Sequence, residues 1–188
     1  MELIGAAVLI ISVVVLSFEK CPMSEAMLRF IALVTAAAIV GRLIFASIPN
    51  VQPATALVLL VAACVGPVTG AVVGMLLVVL TSLFLGSGPF VLFQIIAYTV
   101  ISLFCMLPGM RTRWILTAYG LAAGFFYGWI SNLGFLIFTD FSREAFFTLL
   151  LTGGFFDLLH GVSNAVFIWL LYPIFLRILH SFDGKQGT

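Results

Sequence analysis

The chain has 188 residues, of which 63% are hydrophobic and 8% charged, with eight basic and seven acidic side chains and a net charge of +1. Its mean hydropathy is +1.29. A soluble domain carries roughly 25% charged residues, so this composition excludes a soluble globular domain, a nucleic-acid-binding protein and a disordered chain. It leaves a multi-pass protein of the lipid bilayer. A span needs roughly 20 apolar residues, so the length admits six or seven spans joined by short loops. It leaves no room for a soluble catalytic or ATPase domain. A transporter built on this chain would take its energy from another chain or from an ion gradient.

Charged and turn residues divide the chain into apolar runs. The first, Glu2–Phe18, follows an acidic residue rather than a basic stretch and lacks a small-residue cleavage site, so it is expected to persist as a span rather than be removed as a signal peptide. The second, Ser24–Ala46, starts at Ser24, a suitable N-cap before Glu25, and stops at Pro49 and Pro53. The third, Ala54–Val65, is too short to cross unaided and reads as a buried or partly inserted helix. Gly66-Pro67 opens a fourth run to Phe84, and Gly86-Ser87-Gly88-Pro89 opens a fifth to Leu107. The sixth is Trp114–Phe138, followed by a polar loop, Thr139–Glu144. The last run, Ala145–Phe182, exceeds one straight span. Gly153-Gly154 is expected to break it into a surface segment and a seventh span, Phe155–His180. The runs are continuous rather than alternating, which argues against a membrane barrel. The expected fold is all-α, a multi-pass helical bundle forming one membrane domain over residues 1–188.

Basic residues favour the cytoplasmic side. With the N-terminus outside and the C-terminus cytoplasmic, Lys20, Arg29, Arg111, Arg113, Arg177 and Lys185 fall inside, and only Arg42 and Arg143 fall outside. In this orientation the polar residues within spans gather toward the outer side. They are Arg42, Asn50 and Gln52 after the second run, Gln94 and Tyr98 in the fifth, Trp129 and Asn132 in the sixth, and Asp157, His160 and Asn164 in the seventh. Polar groups are costly in lipid and face cavities or other helices, so these ten residues are expected to line an outward-facing binding pocket. Each has a competing structural role. Asp157 and His160 fit a neutralising pair, Arg42 a side chain reaching the headgroups, the amides interhelical links, and Trp129 an aromatic-belt residue.

The chemistry of catalysis is not written in this sequence. Gly128-Trp129-Ile130-Ser131-Asn132 lacks the second glycine of a nucleophile elbow. Neither a zinc-protease motif nor a lysine-bearing phosphate loop is present, and Cys21, Cys64 and Cys105 are too scattered for a metal cluster. No catalytic residue, metal or cofactor is expected. Two small-residue strips stand out, Gly66-x3-Gly70-x3-Gly74 and Ala32-x3-Ala36, on which backbones can approach closely.

Over about residues 17–180 the chain resembles the substrate-binding S components of energy-coupling factor (ECF) vitamin transporters. The resemblance rests on Ser17-Phe18-Glu19, on Ala32–Ala36, and on the run from Gly41-Arg42 through Ile48-Pro49-Asn50-Val51-Gln52-Pro53 to Thr55-Ala56-Leu57. It continues in Gly66-Pro67-x2-Gly70-x3-Gly74, Gly86-x-Gly88-Pro89, Gln94 and Asp157-Leu158-x-His160-x-Val162-Ser163-Asn164. It implies a bacterial cell-membrane protein with a six-helix core over residues 24–180, residues 1–19 forming an extra N-terminal helix. It further implies a subunit that binds a vitamin from outside, joins a transmembrane coupling subunit and two cytoplasmic ATPases, and topples in the membrane to release its cargo. Ala32 and Ala36 match the family's small-residue contact with the coupling subunit. The resemblance is greatest to cobalamin-specific members. The amide-bearing residues suit cobalamin's amides, whereas a folate dianion would call for more basic groups. Pantothenate, a pyridine or pyrimidine vitamin and a queuosine precursor remain alternatives, as does a structural membrane subunit without a ligand.

Overall fold

The computed structural model describes residues 2–136 and 142–183. Among these, seven α-helices and two 3-10 turns account for all regular structure: α1 Glu2–Glu19, α2 Glu25–Ile44, α3 Ala54–Cys64, α4 Pro67–Leu85, α5 Pro89–Leu103, α6 Arg113–Leu136 and α7 Arg143–Asp183. Four of them, α2, α4, α5 and α7, are long and apolar enough to cross a membrane, the first and third counted with the 3-10 turns that extend them. The six or seven spans expected from length alone thus reduce to four by this measure. α6 has 24 residues, but its Tyr, Trp, Gly, Ser and Asn residues dilute its apolar character.

The helix boundaries follow local chemistry. The Ser24 hydroxyl accepts the Met27 amide at 3.1 Å, capping α2 as expected. Pro67 and Pro89 each start a helix, where a missing N–H has no cost. The expected break at Gly153-Gly154 is absent: α7 runs unbroken for 41 residues. A glycine inside a helix costs only about 1 kcal/mol, and the close packing of α7 on α6 outweighs that. Residues 137–141, including the first half of the expected polar loop, and Lys185 lie outside the described residues, while Arg143 and Glu144 begin α7.

The core forms around α3. Residues Ala54, Thr55, Ala56 and Val58 to Val61 have no exposed surface, and the helix is enclosed by α2, α4, α5, α6 and α7. A helix that is apolar all round belongs in such a position. Its shortness leaves non-helical chain at bilayer depth, which requires partners from the protein. Above α3, the Ser163 hydroxyl accepts the Gln52 amide at 3.0 Å and donates to the Gln52 carbonyl at 3.3 Å. Asn50 holds a left-handed turn, φ 57°, and donates to the Phe156 carbonyl at 3.0 Å. Below α3, Arg111 Nε donates to the Ala63 carbonyl at 3.1 Å. The connections 45–53 and 86–88 mark what we term the upper end of the bundle. The connections 20–24, 65–66 and 104–112 mark the lower end.

Glycines set the helix spacing. Gly66-x3-Gly70-x3-Gly74 packs within the chain: a Cβ on Gly70 would lie 2.4 Å from that of Ala62, and one on Gly74 would lie 2.6 Å from that of Tyr98. A second ladder, Gly120-x3-Gly124-x3-Gly128, brings α6 against α7, the most extensive helix contact in the molecule. A Cβ on Gly124 would lie 2.3 Å from the Gly161 amide nitrogen. α1 packs on α4 through Val14, Ala71 and Val72, and on α5, with Ile11 against the edge of the main core.

Pro173 interrupts α7 without breaking it. Proline offers no amide hydrogen to the carbonyl four residues earlier, here that of Trp169. Arg113 supplies the donors instead, through Nε at 3.1 Å and through Nη2, while its guanidinium lies 3.6 Å from the Trp169 ring centroid.

Two glycine substitutions should therefore behave oppositely. Gly124→Leu has no room at the α6–α7 crossing and should give no monodisperse folded peak on size exclusion in detergent. Gly154→Ala meets nothing within 4 Å and should leave that peak intact, with stability equal or higher by about 0.5–1 kcal/mol in thermal unfolding.

Candidate functional site

Polar side chains from five helices meet in the upper half of the bundle. Their centre is Thr55, in the first turn of α3. Its hydroxyl lies 3.0 Å from the Tyr98 hydroxyl and 2.9 Å from His160 Nε2. A hydroxyl carries one hydrogen and two lone pairs, so Thr55 donates to at most one of these partners and accepts from the other, the choice following the His160 tautomer. The Tyr127 ring closes the group, with its centroid 4.9 Å from those of both Tyr98 and His160 in edge-to-face contacts. Tyr98, His160, Asp157 and Asn164 are at most 3% exposed.

Arg42 reaches this group from α2. Its Nη2 donates to Gln94 Oε1 at 3.1 Å, its charge interacts with the Tyr127 and Tyr98 hydroxyls, and its Nη1 has no hydrogen-bond partner. Among the described residues the one ion pair is the exposed Arg29–Glu25 pair. Arg42 and Gln94 form a wall of a cavity of about 190 Å³ at the upper end, completed by Thr81, Ser82, Gly86 and the apolar Val78, Leu85, Phe90 and Val91.

Of the ten candidates, this cavity takes in Arg42 and Gln94. The others are engaged elsewhere. Tyr98 and His160 belong to the packed row around Thr55. Asn164 Nδ2 donates to the Gly120 carbonyl at 3.2 Å, tying α7 to α6. Asp157 is wedged at the glycine ladder, with Oδ1 where a Gly128 side chain would stand and Oδ2 without a partner. Asn132 lies nearby across Gly153: a Cβ there would be 3.0 Å from Asn132 Nδ2 and 3.9 Å from Asp157 Oδ2. Asn50 and the Gln52 main chain brace the upper connection. Trp129 is 43% exposed and packs edge-on against Phe125 and Phe126, away from the row. Asp157 and His160 make no ion pair.

Thr55 and Tyr127 are central to the arrangement yet absent from the candidates read off the sequence. Tyr127 sits beside the ladder Gly120, Gly124, Gly128, on the face of α6 that also buries Ala123 and Ser131. That ladder is the signal that marks the face. Thr55 opens a helix between prolines and aliphatic residues and carries no periodic mark.

No group of three or more histidine, cysteine or acidic residues among the described residues is arranged to hold a metal ion. The chain matches no protein-family model, no curated protein and no solved structure.

Replacing Thr55 by valine keeps its shape and strands two buried groups. Thr55→Val should destabilise the protein by about 1–3 kcal/mol for each group left unpaired. Adding Tyr98→Phe should recover part of that loss, because one stranded hydroxyl disappears. Thermal unfolding of the two variants in the same detergent checks the order.

Proposed function

We propose that this chain is the substrate-binding subunit of an ECF-type vitamin importer, with α2 to α7 forming its six-helix core and α1 an added helix. The observation that carries the reading is the division of the molecule. A buried polar group and a charged cavity occupy the upper end, and the Ala32–Ala36 strip lies exposed at the middle of α2, below them. The upper end faces outward in the orientation that places most basic residues inside. Cargo would enter there from outside, and the coupling subunit and its two ATPases would engage α2.

The strip is suited to a partner helix. Lipid tails give no hydrophobic drive for helix association, so close approach over small side chains supplies the contacts. Ala32 and Ala36 are exposed rather than packed on this chain's own helices, which leaves the strip free.

For the cargo, the resemblance favours cobalamin and the geometry favours something smaller. A cavity of about 190 Å³ lies below the roughly 300–1,000 Å³ of pockets for drug-sized ligands. A corrin would enter only after the connections at the upper end part. A vitamin or precursor the size of pantothenate or a substituted pyridine needs far less rearrangement, and this is the reading we adopt.

Three outcomes test the proposal. The chain purified with a coupling subunit and two ATPases should form one complex, and cells expressing that complex should take up the compound that mass spectrometry finds bound to the isolated chain. The chain alone should hydrolyse no ATP above a mock preparation. Ala32→Leu with Ala36→Leu should leave binding by the purified chain unchanged and lower uptake at least tenfold. Equal loss of binding and uptake, or unaffected uptake, would remove α2 from the coupling interface.

A further inference from the structure

We infer that Arg42 and Gln94 are a recognition subsite for a carboxylate, and that the cargo is a small organic monocarboxylate with an apolar body. The inference rests on the importer reading and names the substrate class of its cavity.

Arg42 carries a charge that no side chain in the cavity neutralises. A guanidinium remains ionised in proteins and has five N–H donors but no acceptor. Arg42 is half-buried with its Nη1 enclosed and unpartnered, and no acidic side chain among the described residues lies within ion-pairing distance. The groups around it are neutral: the Gln94 amide and the Tyr98 and Tyr127 hydroxyls. Asp157, the buried acid on α7, makes no ion pair with it. A buried charge of this kind is destabilising unless an opposite charge joins it.

The donors on the cavity wall are set for an anion. Gln94 turns Oε1 to Arg42, which leaves its NH₂ group as the free end. Thr81 and Ser82 each donate their hydroxyl hydrogen to a carbonyl of their own helix, at 2.7 Å to Leu77 and 2.7 Å to Val79. They therefore offer the cavity lone pairs rather than donors. One guanidinium and one amide suit a monoanion with two oxygens. A phosphate, with more charge and more acceptor oxygens, would leave most of its oxygens unserved. The remaining wall, Phe90 and Val91 among it, is apolar and accommodates an uncharged body.

The test uses matched probes that differ at the acid. Nicotinate is compared with nicotinamide, and pantothenate with pantothenol, by thermal unfolding of the full chain in nanodiscs of phosphatidylcholine. The expected result is that at least one acid raises the wild-type midpoint by about 5 °C near saturation while its neutral partner does not. Arg42→Met should abolish the shift, and Arg42→Lys should retain part of it. Without ligand, Arg42→Met should be at least as stable as wild type, since it removes an unpaired buried charge.

Other results overturn the inference. Neutral partners or cyanocobalamin stabilising wild type as well as the acids do, or an acid response that survives Arg42→Met, would leave the importer reading standing and remove the carboxylate. A stabilisation produced only by inorganic phosphate, or by phosphatidylglycerol nanodiscs, would assign Arg42 to lipid headgroups. No response to either acid would make Arg42 structural. Binding to the coupling subunit, measured separately by co-purification, decides the importer reading itself. Should Arg42→Met fail to fold, the acid–neutral comparison on wild type still decides.

Discussion

Inside a bilayer, a backbone group that finds no partner in the protein finds none at all, and this constraint organises the molecule. α3 is 11 residues long, so the chain above and below it is non-helical where water is scarce. Ser163 satisfies both main-chain polar groups of Gln52, Arg111 reaches the end of α3, and Arg113 replaces the donor that Pro173 lacks. The few hydrogen-bonding side chains are therefore spent largely on main chain. That use explains why so many polar residues in the spans face neither lipid nor a cavity.

Local chemistry was legible in the sequence where one residue decides the outcome. The Ser24 cap, the helix starts at Pro67 and Pro89 and the buried short helix all follow from residue identity and spacing. The continuity of α7 was not legible, because two glycines look like a stop unless the neighbouring helix is known. Trp129 and Asn132 are three apart, yet Trp129 turns outward to Phe125 and Phe126. Spacing fixes a shared side of a helix only to within a wide arc. Thr55 was hidden for a different reason: its importance lies in two partners, Tyr98 and His160, that are 43 and 105 residues away.

The upper half of the bundle divides its polar groups between rigidity and reception. The row Tyr98–Thr55–His160 joins α5, α3 and α7 and leaves no room for a ligand between its members. Arg42 borders both this row and the cavity, so it is the one charged group that links the packed interior to the space beside it. A bound anion there would interact with a floor whose side chains are already fixed by their own hydrogen bonds. Such pre-organisation reduces the entropy lost on binding.

α7 carries a separate consequence. Its 41 residues extend about 60 Å, and between Glu144 and Arg177 the only acidic or basic side chains, Asp157 and His160, are buried in the protein. The hydrocarbon layer of a bilayer is only about 30 Å thick. Phe147, Leu151 and Phe155 near the upper end of this stretch are 60%, 81% and 64% exposed, so immersion in lipid favours them and a steep lean brings them in. Mismatch between helix and bilayer costs fractions of a kcal/mol per Å. The acyl-chain length of the surrounding lipid thus becomes a variable of the protein's own energy. A thicker bilayer accommodates α7 at a gentler inclination, and a thinner one drives it flatter.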